Sequence, residues 1–177
     1  VQSGTFTMNG GAISDCIAEQ GGGVYVSSGT FTMESGIIGK EIKEETEGTK
    51  QSWQYAATGD EGKHSNYAGA GGGGIYVASG DVTINGGKIS YNYTRNPGND
   101  CLGKTPENTA AGGGISIVSG SLSLINSEVS YNSGYQGGGI RCYNDTTSNA
   151  GTLTLNKTLI KGNTSNPYKG SSFGGGL

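Results

Sequence analysis

The feature that most constrains this chain is that it repeats itself. Gly72-Gly73-Gly74-Ile75-Tyr76-Val77 leads through Val82 and Ile84 to Gly87-Lys88-Ile89-Ser90-Tyr91-Asn92. The same order returns about every 25 residues once intervening segments are set aside. One copy starts at Gly112 and runs through Ile115, Ile117, Leu122, Leu124, Val129 and Asn132. An earlier copy starts at Gly21, with Val24, Val26, Phe31, Met33 and Ile38. A later one starts at Gly137, with Ile140, Cys142, Leu153, Leu155, Ile160 and Asn163. Partial copies carry Phe6, Met8 and Ile13 at one end and Gly174 to Leu177 at the other.

Inside each copy apolar residues alternate with polar ones: Ile75 and Val77 flank Tyr76, and Val82 and Ile84 flank Thr83. A period of two is the mark of a strand with one buried face. No helical apolar stripe of useful length is present. Three short strands per copy, separated by Gly, Ser and Asn corners, predict an all-β right-handed parallel β-helix. This solenoid would hold about 4–5 coils, stacked with parallel pairing. Residues 1–177 then form a single segment. Stacking predicts inward ladders: Val24, Ile75, Ile115 and Ile140; Phe6, Phe31, Val82, Leu122 and Leu153; Met8, Met33, Ile84, Leu124 and Leu155; Ile13, Ile38, Ile89, Val129 and Ile160. Asn92, Asn132 and Asn163 share a corner where side-chain amides can bond along the axis. An antiparallel sandwich is the competing all-β reading, but it does not require the same residue at the same place in every copy. Both ends stop mid-repeat without a recognisable cap, which predicts part of a longer solenoid or a unit whose ends are covered by neighbours.

Composition narrows the function classes. Glycine occupies 36 of 177 positions, but with 3 prolines and no three-residue period the chain is not collagen-like. A charged fraction of 14% and a net charge of -3 give no electrostatic footprint for nucleic acid. No apolar run approaches the roughly 18 residues that span a bilayer as a helix. Three cysteines are too few for a disulfide framework. Cys142 falls on an inward ladder position and is expected to be a buried thiol; Cys16 falls where the Asn row would begin, and Cys101 in a loop.

The copies resemble the repeats of bacterial polymorphic outer-membrane proteins and related adhesins of the pectin-lyase-like superfamily. The resemblance rests on Gly113-Gly114-Ile115, Gly138-Gly139-Ile140 and Val129-Ser130-Tyr131-Asn132. Glycine replaces the alanine usual in the glycine element, and Tyr or Gly replaces the usual Phe of the aromatic element. The resemblance implies a secreted or cell-surface protein, often adhesive.

The repeats are interrupted at about 40–70, 93–111, 143–150 and 164–173. Segments 40–70, 93–111 and 164–173 are expected to leave one edge of the solenoid after the third strand, whereas the equivalent link at 133–136 is minimal. Insertions on one edge of an array often build its binding surface. The first carries Trp53, Tyr55, His64 and Tyr67, the second Tyr93 and Arg95, the last Tyr168. Aromatic rings beside amides and hydroxyls suit a host-surface protein or glycan. The plainer account is that these rings pack on the wall. No metal ligands are expected. The acidic run Glu41, Glu44, Glu45 and Glu47 lacks the alternating spacing of a calcium loop, and the lone His64 has no zinc-site partners. No cofactor is called for.

The leading expectation is therefore a non-enzymatic binding scaffold. A polysaccharide-active enzyme, or its inactive glycan-binding relative, is the second reading. It needs clustered carboxylates, yet Asp81, Lys88, Glu128, Arg141 and Lys161 scatter over different faces. A structural unit that stacks end to end with its own copies is the third. Outward hydroxyl rows (Thr5, Thr30 and Thr152; Thr7, Thr32, Thr83, Ser123 and Thr154) are a regular feature, explained by the preference of Thr for exposed strand positions.

Overall fold

In the computed structural model the described residues are 1–41, 65–94, 112–142, 151–165 and 174–177. They form an all-β structure, with no helix among them, in which every strand pairing is parallel. Strands collect into a four-stranded, an eight-stranded and a five-stranded sheet. This arrangement is compatible with a parallel β-helix.

The four-stranded sheet holds Val24–Val26, Ile75–Val77, Ile115–Ile117 and Ile140–Cys142. Its register pairs Val24 with Ile75, Ile75 with Ile115 and Ile115 with Ile140, as the repeat predicts. In the eight-stranded sheet Phe6, Phe31, Val82, Leu122 and Leu153 follow one another in register. Met8, Met33, Ile84, Leu124 and Leu155 do the same. So do Ile13, Ile38, Ile89, Val129 and Ile160. A one-residue slip would turn each of these rows to solvent, so burial fixes the register. The central rungs make one apolar core in which Phe31, Ile75, Ile84, Ile115, Leu124 and Ile140 are fully buried.

Two expectations change. The second and third strands predicted for each copy are continuous in the middle repeats, as Asp81–Ser90 and Ser121–Ser130. The five-stranded sheet instead comes from residues expected in the links: Ile17–Gln20, Tyr67–Gly71, Tyr93–Thr94, Ser133–Gly134 and Thr164–Ser165. Most of these strands are too short to display a period, which hides them in the sequence. The second change concerns the outer rungs. They keep register but lose burial at several positions: Phe6 is 43% and Leu155 41% exposed, and Leu153 and Ile160 are only partly buried, while Met8 and Ile140 stay buried. Cys142 pairs in register with Ile117 yet is exposed rather than buried, because no described rung stacks beyond it. Partial desolvation still pushes its thiol above the ordinary range.

The glycine triplets are dictated by space. Gly72 has φ +60°, and a Cβ there would lie 2.2 Å from the Ile75 carbonyl oxygen. At Gly73 a Cβ would lie 2.4 Å from the Gly113 oxygen and 2.5 Å from the Tyr93 oxygen. Gly72 supplies a left-handed turn and Gly73 permits close backbone approach.

Candidate binding surface

The polar spine comes first, because it fixes the surface around it. The Asn92 side-chain amide donates to Asn132 Oδ1 at 2.9 Å, and the Asn132 amide donates to Asn163 Oδ1 at 3.0 Å. Asn66 extends the row, donating to Asn92 Oδ1 at 2.9 Å. Each amide makes a second bond to a carbonyl of the eight-stranded sheet: Asn66 to Ile13, Asn92 to Ile38, Asn132 to Ile89 and Asn163 to Val129. Asn66, Asn92 and Asn132 are fully buried. Full pairing of both amide ends is what makes such burial tolerable. Asn66 escaped the repeat search because 40–70 reads as an insertion. The matching pairs Asn66-Tyr67 and Asn92-Tyr93 are the signal that reveals it. Cys16 occupies the same place in the first rung, where its main-chain N–H donates to Asn66 Oδ1 at 3.1 Å.

The residue before Cys16, Asn92, Asn132 and Asn163 turns the chain. Asp15, Tyr91 and Tyr131 have φ of 59°, 57° and 55°, and Gly162 has φ 60°. Left-handed tyrosines are unusual. Here their rings stack at 5.2 Å between centroids and 19° between planes. A Cβ on Gly162 would lie 2.5 Å from the Tyr131 ring, so glycine leaves room for that ring.

Outward tyrosines form two further rows. Tyr67 and Tyr93 pair in register on the five-stranded sheet, with ring centroids 5.8 Å apart. Both are half-buried strand residues rather than loop residues. Tyr25 and Tyr76 pair on the four-stranded sheet and stack at 5.5 Å, nearly parallel at 5°. Their row continues through Ser116 to Arg141. Tyr25 and Tyr76 were not singled out from the sequence; their outward positions between Val24 and Val26, and Ile75 and Val77, are the available signal.

Of the sequence-derived binding candidates, Trp53, Tyr55, His64, Arg95 and Tyr168 lie outside the described residues. The segments between described residues make three kinds of connection. Glu41 to Ser65 bridges from the eight-stranded to the five-stranded sheet. Thr94 to Gly112 and Ser165 to Gly174 bridge from the five-stranded sheet towards the glycine triplets. Cys142 to Gly151 bridges from the four-stranded to the eight-stranded sheet. Segments 95–111 and 166–173 thus make the same kind of connection in the chain. Segment 42–64 connects differently, because the strand that follows it, Tyr67–Gly71, itself belongs to the five-stranded sheet.

Ion pairs join Lys40 with Asp15 at 3.0 Å, Lys88 with Glu41 at 3.1 Å and Lys161 with Glu128 at 3.2 Å. Lys40 holds the Asp15 carboxyl below its usual range, helped by Ser14. Among the described residues no cluster of three or more His, Cys, Asp or Glu side chains is placed to hold a metal ion. No described helix is long and apolar enough to cross a membrane. Among the four Asn-X-Ser/Thr sequons, Asn92 is buried, Asn163 is half-buried in the spine, Asn156 is exposed and Asn144 lies outside the described residues. A scan against protein-family models, a search of curated proteins and a search of solved structures each gave no match.

Proposed function

We propose that this chain forms a right-handed parallel β-helix that acts as a non-enzymatic, secreted or cell-surface scaffold. It presents its inserted segments, with the tyrosines beside them, to a host protein or glycan. The handedness follows from the strong preference of parallel crossovers for the right-handed path. One rung per repeat, with like residues in register in the four- and eight-stranded sheets and Tyr67 beside Tyr93 in the five-stranded sheet, supports the coil reading. Resemblance to polymorphic outer-membrane repeats supports the surface location.

The observation that carries the binding reading is the Tyr67–Tyr93 pair. These rings sit on strands that adjoin, in sequence, the segments that hold Trp53, Tyr55 and Arg95. Rings offer flat apolar area with little conformational freedom to lose, and hydroxyl edges that hydrogen-bond. The test is a glycan array together with a panel of extracellular host proteins, probed with the chain and with Trp53→Ala, Tyr55→Ala and Tyr93→Ala. Retained fold with lost binding supports the proposal. Binding to nothing on either panel, or binding unchanged in all three variants, refutes it.

A further inference from the structure

We infer that Asn9-Gly10 is a site of spontaneous deamidation through a succinimide, and that the same dipeptide at Asn85-Gly86 is shielded from it by the fold. The chain has these two Asn-Gly pairs at equivalent places in the repeat, each followed by a second glycine. Asparagine is chemically labile, and a following glycine offers a main-chain nitrogen unhindered by a Cβ. In the reaction the Gly10 nitrogen attacks Asn9 Cγ and gives up its proton, a new C–N bond closes the five-membered ring, and ammonia leaves. Water then opens the ring at either carbonyl and leaves aspartate or isoaspartate. No oxidant or other reagent is consumed.

The two sites differ in what holds the reacting atoms. Asn9 and Gly10 are exposed and lie in the break between the strands Thr5–Met8 and Ala12–Ile13. Here the Ser35 hydroxyl donates to the Asn9 main-chain oxygen at 2.6 Å. That contact restrains neither the Asn9 side-chain amide nor the Gly10 N–H. Asn85 and Gly86 lie inside the continuous strand Asp81–Ser90, with Asn85 paired to Ile125. The Asn85 amide donates to Glu34 Oε2 at 3.0 Å, and the Gly86 N–H donates to Ser127 Oγ at 3.3 Å. The leaving amide and the attacking nitrogen are both engaged, and the pairing of Asn85 with Ile125 and of Gly87 with Ser127 holds the backbone on either side of Gly86. Conversion of Asn9 would also place a new carboxylate at the rung next to Glu34, since Met8 pairs with Met33.

The test is to age the folded chain in warm, mildly alkaline buffer and follow both peptides by mass spectrometry, separating aspartate from isoaspartate. Asn9 is expected to convert about tenfold faster than Asn85 or more, the ratio that a modest difference in barrier gives. In urea the two rates should converge, because the sequence context is so similar. Glu34→Ala with Ser127→Ala should raise the Asn85 rate towards that of Asn9. Equal rates in the folded chain, or a difference that persists in urea, would overturn the inference. An Asn85 rate unmoved in a folded double variant would overturn the shielding role of these two side chains.

Discussion

Asn132 Oδ1 accepts two hydrogen bonds from Asn92, one from its main-chain N–H and one from its side-chain amide, both at 2.9 Å. Asn132 in turn donates to the Ile89 carbonyl and to Asn163. One buried amide therefore joins three rungs and two sheets. Asn132→Ala leaves these partners unsatisfied in the interior and is expected to destabilise the fold by about 3 kcal/mol. Asn132→Asp keeps the acceptor but turns an oxygen towards the Ile89 and Asn163 oxygens. It should be at least as harmful at neutral pH and partly relieved by acid, when the protonated carboxyl can donate. Urea denaturation of both variants at two pH values measures this.

The apolar rows predict a gradient along the axis. Ile115 is completely buried between Ile75 and Ile140. Ile115→Ala should cost about 2–5 kcal/mol, and Ile115→Val about 0.5–1.5 kcal/mol. Leu155, on its own row beside Leu124, is 41% exposed. Leu155→Ala should therefore cost clearly less than Ile115→Ala. Equal losses in thermal unfolding would contradict the stacked core.

Much of this framework is legible in the sequence, and the reason is local. Val24, Ile75, Ile115 and Ile140 repeat in type and spacing, and parallel stacking turns equal spacing into register. The five-stranded sheet is not legible that way. Tyr93–Thr94 and Ser133–Gly134 are two residues long, and their buried positions hold Asn, Thr, Ser and Gly rather than aliphatic residues. Amide bonding between rungs, and not apolar alternation, places these strands. The same blindness set the first excursion too long, placing Asn66 and Tyr67 in a loop. It also placed Cys142 in the core, since row position alone does not tell whether a rung is covered on both sides.

Glycine substitutions separate conformational strain from collision. Gly11 has φ +85° with open space where a Cβ would go, so Gly11→Ala should lose only about 1–2 kcal/mol. Gly73 has no such φ, but its Cβ would strike two main-chain oxygens of neighbouring strands. Backbone cannot move aside as a side chain can, so Gly73→Ala should be the more damaging. Circular dichroism melting of the two variants side by side tests the order.

Acid should weaken the ion pairs in a direction that Glu128 fixes. Burial raises its carboxyl affinity for protons, but the Ser130 hydroxyl, Lys161 and Lys88 together outweigh that and hold it below the usual glutamate range. A carboxyl whose folded value is lowered contributes stability above its unfolded value, about 4.3, and loses that contribution as pH falls through the lower folded value. Glu128 and Lys161 are both partly open to solvent, so the pair is worth under about 1 kcal/mol and weakens with salt. Glu128→Gln should therefore unfold slightly more easily than the parent chain at pH 7, and the difference should vanish below the acid transition. A variant that keeps its full deficit in strong acid, or one that is more stable at pH 7, would show that the Lys161 contact does not set the charge state of Glu128.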